Sequence, residues 1–162
     1  MFTIWDEDFN LEDWEDYFTE IYDEEELEDM DDEVKWEIVN EMNYNYLEDE
    51  RANLSSIKLE GRIIALADLG LWNGRRSGYQ VMGYNLADCL YSFTNSMSYM
   101  KFFVEDGEFR AREIHHDGTN YYTFRMLKPE VDEYDFDFCE DDVDQFSVPL
   151  GKVILDFYGA TE

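Results

Sequence analysis

Hydrophobic positions change period along this chain, and each change marks an element. Leu11, Trp14, Phe18 and Ile21 recur three and four apart, with Glu12, Asp13, Glu15, Asp16 and Glu20 between them. That is one apolar stripe on a helix, and Asn10 can cap it. Val34, Ile38, Met42 and Leu47, widened by Trp36 and Val39, predict a second helix that begins near Asp31 or Asp32 and ends before Ser55. The run Asp23 to Asp29 between the two is either helix or turn, because like charges four apart destabilise an isolated helix by about 0.2–0.5 kcal/mol per pair.

From Ile57 the pattern turns to strand. IKLEGRIIALADLG is rich in branched residues, with Gly61 marking a bulge or turn inside it. A glycine-dense loop follows from Leu71 to Tyr79, and Asn85 caps a short helix over NLADCLYSF. Tyr99 to Val104, Glu108 to Ile114 and Asn120 to Leu127 read as three strands, joined through Asp106-Gly107 and Asp117-Gly118, which are hairpin turn pairs. After Pro129, acids alternate with Val131, Tyr134, Phe136 and Phe138, the pattern of an edge strand or docked ribbon. The final SVPLGKVILDFYG is apolar enough to be tied into the core. The expected fold is α+β: N-terminal acidic helices packed on an antiparallel sheet of about four strands, with an acidic C-terminal segment. No repeat or flexible linker interrupts it, so residues 1–162 read as a single domain, made of an acidic helical arm (1–54), a near-neutral sheet core (55–128) and an acidic C-terminal segment (129–162).

Charge sharpens that division. The chain has a formal net charge of -29, with 22 acids and 1 base in residues 1–50, 8 acids and 10 bases in 51–128, and 11 acids and 1 base in 129–162. Salt adaptation would make the surface acidic throughout, which the slightly basic centre argues against. Acidity that serves only to keep an aromatic-rich chain soluble is a second plain explanation. Residues 12 to 33 alone hold fourteen carboxylates and no Lys or Arg, yet Trp14, Tyr17, Phe18, Ile21, Tyr22 and Leu27 lie among them. A disordered acidic tail buries nothing and is poor in aromatics, so this charge is expected on a folded surface. As a helix the stretch would span roughly 33 Å, about one carboxylate per 2.4 Å, against about one phosphate charge per 1.7 Å of duplex DNA.

Several chemistries are excluded or weak. Cys89 and Cys139 have no ligand spacing and read as buried or free thiols of a reducing cytosol. The N-terminus lacks a basic region and a long apolar run, so no signal peptide is expected, and no stretch of about 18 apolar residues offers a membrane span. There is no calcium loop around Asp132, Asp135 and Asp137, no HExxH, and no phosphate loop in LWNGRRSGY. No metal or cofactor is expected. Trp72, Asn73, Arg75, Arg76 and Tyr79 in that loop are a possible contact set, although Arg75 and Arg76 would also serve as counter-charges for the chain's own carboxylates. His115 and His116 stand beside Asp117 and near Arg110, Arg112 and Arg125. Histidine as general acid or base with arginine stabilising negative charge could cleave RNA without metal. Adjacent strand residues point to opposite faces, so one histidine at most would serve a given site.

GRIIALADLGLWNGRRSGY (Gly61 to Tyr79), NLADCLY (Asn85 to Tyr91) and HHDGTNYYTFR (His115 to Arg125) resemble a small, largely uncharacterised protein family carried by bacteriophages and mobile elements of Gram-positive bacteria. The resemblance implies mobile-element origin and assigns no activity or site residue. In general character the acidic arms also resemble DNA-mimic anti-defence proteins, the anti-CRISPR and anti-restriction inhibitors. Together these give the expected function: a phage-encoded inhibitor, acting in the cytoplasm of the infected bacterial host, whose carboxylates occupy a basic DNA- or RNA-binding channel of a host nuclease. The partner would be a basic nucleic-acid-binding protein, a CRISPR effector before a restriction enzyme, with no direct DNA binding and no membrane. The expected contact set is Glu12, Glu15, Asp16, Glu20, Asp23, Glu24, Glu25, Glu26, Glu28 and Asp29. The alternatives are an RNA- or nucleotide-cleaving enzyme using His115, His116, Arg112 and Arg125, and a scaffold that binds basic proteins with little selectivity.

Overall fold

A computed structural model describes residues 1–4, 22–57, 59, 61–67, 80–83, 85–93, 98–115, 118–131 and 145–162. Their order is β1 (Phe2–Thr3), α1 (Glu24–Glu28), α2 (Asp32–Ser56), β2 (Ile63–Ala67), β3 (Gln80–Gly83), α3 (Leu86–Phe93), β4 (Ser98–Glu105), β5 (Glu108–His115), β6 (Gly118–Leu127), β7 (Ser147–Pro149) and α4 (Gly151–Tyr158). This is an α+β fold. One antiparallel sheet runs β1-β4-β5-β6-β2-β3, and β7 also pairs with β6. The four expected strands form its centre as β2, β4, β5 and β6, and β1, β3 and β7 extend it. The first expected helix, the Leu71–Tyr79 loop and the acidic ribbon after Val131 lie outside the described residues.

The β4–β5 hairpin is set by its turn. Asp106 and Gly107 take φ values of 53° and 78°, the pair of positive φ angles that a two-residue turn matched to strand twist requires. The register is then continuous from Glu105 opposite Glu108 to Ser98 opposite His115. Because side chains alternate, this register sorts the hairpin's described side chains between two faces. Met100, Phe102, Val104, Phe109, Ala111 and Phe124 fall on one face, where they form the core with Leu54 of α2, Leu86 and Leu90 of α3, and Ile154 of α4. Phe102, Phe109 and Phe124 pack ring against ring, with centroids 5.3 to 6.2 Å apart. The helices of this core therefore share one side of the sheet.

Several local expectations shift. The second helix runs on to Ser56, and Val34, expected in its apolar stripe, is 40% exposed, whereas Leu54 near its far end is fully buried. The strand expected from Ile57 narrows to Ile63–Ala67. Gly61 marks a close approach just before that strand, since a Cβ there would fall on the Leu127 carbonyl oxygen. Leu127 N donates to Arg62 O at 2.7 Å beside it.

The C-terminal segment does enter the core. Met126 pairs with Ile63 of β2 on one edge and with Val148 of β7 on the other, so β7 lies in line with β5 along β6. Gly151 N donates to Gly107 O at 3.0 Å, and a Cβ on Gly151 would collide with that carbonyl. Gly107 N in turn donates to the Glu162 carboxylate at 2.6 Å, and Tyr158 donates its hydroxyl proton to Glu50 of α2 at 3.0 Å.

Candidate interaction surface

The described part of the acidic arm is ordered by its own carboxylates. Asp23 caps α1: its side chain accepts from Glu26 N at 2.8 Å, and the Glu26 carboxylate accepts from Asp23 N at 3.2 Å. This reciprocal box satisfies two helix-start donors and sets Glu24, Glu25 and Glu26 at the positive end of the helix dipole. Asp31 repeats the cap for α2, accepting from Val34 N at 2.9 Å. Like-charge repulsion is thus offset locally by capping bonds.

What remains outward is carboxylate. Residues 22–56 hold fourteen Asp and Glu against Lys35 and Arg51. Asp23, Glu24, Glu25, Glu26, Glu28, Asp29 and Asp31 are exposed, as are Glu37, Glu41, Glu48 and Asp49 along α2. Glu37, Glu41 and Glu48, four and seven apart, share one side of that helix, which at about 1.5 Å per residue is roughly 38 Å long. Of the expected contact set, Asp23, Glu24, Glu25, Glu26, Glu28 and Asp29 stand on this ridge, while Glu12, Glu15, Asp16 and Glu20 lie outside the described residues. Glu37, Glu41, Glu48 and Asp49 join the ridge unforeseen. Their signal was the four- and seven-residue spacing within the second helix.

The basic residues separate as sharply. Lys101 is opposite Arg112 and Arg112 opposite Tyr121, while Arg110 is opposite Phe103 and Thr123. By alternation Arg125 shares that face, where its Nε lies 3.6 Å from Glu108 Oε2, and the Arg110 guanidinium sits 5.6 Å from the Tyr121 ring centre. All Lys and Arg of the described strands are therefore on the face turned away from the helical core. The unbroken register puts Glu113 on the other face, with Ala111. His115 is the last residue of β5, in register with Ser98 and Gly118. His116, Trp72, Asn73, Arg75, Arg76 and Tyr79 lie outside the described residues.

On the core face, Glu113 is directly opposite Asn120, and Tyr122 follows one row on, opposite Ala111. The Asn120 amide bonds the Tyr122 phenol, whose pKa is nevertheless raised by burial and by the Glu113 charge. Cys89 is buried in α3, where desolvation and then the neighbouring Asp88 push its thiol up and keep it protonated. Among the described residues no cluster of His, Cys, Asp and Glu could hold a metal, and no helix is long and apolar enough to cross a membrane. Comparison with protein-family models, with curated proteins and with solved structures found no match to this chain.

Proposed function

We propose that this protein is a phage-encoded anti-defence inhibitor that blocks a host nuclease, a CRISPR effector before a restriction enzyme, by placing ordered carboxylates in the nuclease's basic nucleic-acid channel. The observation that carries this reading is the exposed ridge of α1 and α2, fixed by the Asp23 and Asp31 caps and almost free of basic residues. A solubility role would be served by carboxylates anywhere on the surface. Concentrating them on capped helices costs repulsion and gains a polyanion of defined shape. CRISPR effectors hold nucleic acid in a positively charged channel and read a short flanking motif with arginines, and such a channel complements this ridge. The site of action is then the cytoplasm of the infected bacterium.

The test is inhibition of a purified host effector by stoichiometric protein, with guide RNA checked for cleavage. Replacing Glu24, Glu25, Glu26 and Glu28 by Gln should weaken inhibition about tenfold or more, a loss of roughly 1.4 kcal/mol spread over four contacts. Undiminished inhibition by that variant would sink the proposal, as would intact inhibition accompanied by loss of the guide RNA.

A further inference from the structure

The β4–β5 turn carries a reactive pair. In an Asp-Gly sequence the backbone nitrogen of the glycine can attack the aspartate Cγ, because no side chain on the second residue stands in the way. The nitrogen gives up its proton, the protonated carboxyl group gives up its hydroxyl, the two leave together as water, and a five-membered succinimide closes. Water then opens the ring at either carbonyl. One opening restores Asp, and the other leaves isoaspartate, in which the β-carbon has entered the main chain. The water lost in the first step is regained in the second, so no other reactant is needed.

Asp106 is open to this chemistry. It is exposed, so water reaches it, and it is the one non-glycine position among the described residues with a positive φ, 53°. An L-residue adopts that left-handed conformation at a cost. Gly107, which supplies the attacking nitrogen, is held at both ends by the C-terminal segment. Its N–H donates to the Glu162 carboxylate at 2.6 Å, and its carbonyl accepts from Gly151 N at 3.0 Å. Closing the ring requires the nitrogen to lose that hydrogen and swing toward the Asp106 side chain, which breaks the Glu162 bond while the Gly151 bond still pins the carbonyl. Bonds to a charged acceptor are the stronger ones, so closure waits on release of Glu162.

The product does not fit the turn. Glu105 lies opposite Glu108, and only Asp106 and Gly107 connect them. One more main-chain atom departs from the pair of positive φ angles that matches a two-residue turn to strand twist. It also moves the Gly107 carbonyl on which α4 starts.

We propose that Asp106-Gly107 is a site of spontaneous isomerisation to isoaspartate, held silent by the Glu162 carboxylate, and that its conversion unseats α4. The site goes beyond the nuclease-inhibitor reading and shares no residue with the ridge of α1 and α2.

The experiment follows the full chain at neutral pH and physiological temperature by peptide mapping. Labelling with an isoaspartyl methyltransferase and electron-transfer fragmentation separate position 106 from the chain's other susceptible pairs, Asn73-Gly74 and Asp117-Gly118. A synthetic peptide of residues 101–111 gives the unrestrained rate. Isoaspartate at 106 should form at least about tenfold more slowly in the wild-type chain than in that peptide. Glu162→Ala should speed it by about threefold or more, with circular dichroism showing the variant folded. Tyr158→Phe, which weakens α4 without touching Gly107, should stay within about twofold of wild type. In the converted chain, amide exchange across α4 should quicken while β5 and β6 stay protected. Equal rates in wild type and Glu162→Ala, both fast or both undetectable, would overturn the assignment to Glu162. A wild-type rate equal to the peptide's would do the same, and so would equal acceleration by Tyr158→Phe, which would trace the effect to overall stability. Unaltered α4 exchange in the converted chain would refute the unseating.

Discussion

Gly151 shows how much one residue can decide. It starts α4 with its N–H on the Gly107 carbonyl and leaves no room for a methyl group there. Gly151→Ala must push α4 away from the β4–β5 turn, and a loss of about 1–3 kcal/mol is expected, read as a lower urea midpoint with unchanged slope. Phe109 is a second such position: it is fully buried and packed between Phe102 and Phe124. Phe109→Ala should cost about 3–5 kcal/mol by leaving a cavity, enough to remove much of a domain's stability. Phe109 was legible in the alternation of EFRAREI. The need for glycine at 151 was not, because the group it would strike lies 44 positions earlier, across a contact that only folding creates.

Between elements, the Tyr158–Glu50 bond joins the last helix to the end of α2. Burial first, and then the hydrogen bond and charge of Glu50, raise the Tyr158 pKa well above the ordinary tyrosine value. The native state therefore holds this proton where the unfolded chain releases it. The stability so gained is complete below about pH 10 and is lost as pH rises through the higher native value. Tyr158→Phe should lower stability at neutral pH by about 1 kcal/mol and flatten the alkaline decline of the denaturation midpoint. An unchanged alkaline slope would remove Tyr158 from that account, leaving Tyr122, whose pKa is also raised, as the source. On α1, Asp23→Ala removes the capping box, and a loss of about 0.5–2 kcal/mol of local stability is expected. It should appear as faster amide exchange over Glu24–Glu28 while the sheet stays protected.

For the whole molecule, the arrangement is one of charge kept apart: carboxylates on the outward side of α1 and α2, and the cations of the strands on the face opposite the helical core. If the ridge meets a basic channel, association should be steered by long-range attraction and fall steeply with ionic strength, since the screening length shortens from about 10 Å at 0.1 M salt to about 3 Å at 1 M. Surface plasmon resonance across that range should show the association rate falling about tenfold or more. A flat profile would mean that short-range contacts and not the field make the complex.

Sequence alone determined the four central strands, the turn at Asp106-Gly107 and the uneven charge, because alternation, positive-φ turns and net charge are local properties of the chain. It also placed Asp23, Glu24, Glu25, Glu26, Glu28 and Asp29 on a candidate surface, since nothing about an uncompensated acidic run suits a core. Tertiary structure alone decided which strand residues face one another. Period two says that Glu113 and Arg112 point apart, but only the pairing of β5 with β6 sets Glu113 against Asn120 and Arg112 against Tyr121. It likewise decided that the short β7 should continue the line of β5 and that α4 should seat on Gly107. Those are contacts between residues distant in sequence, fixed by register and burial, for which no local pattern carries a signal.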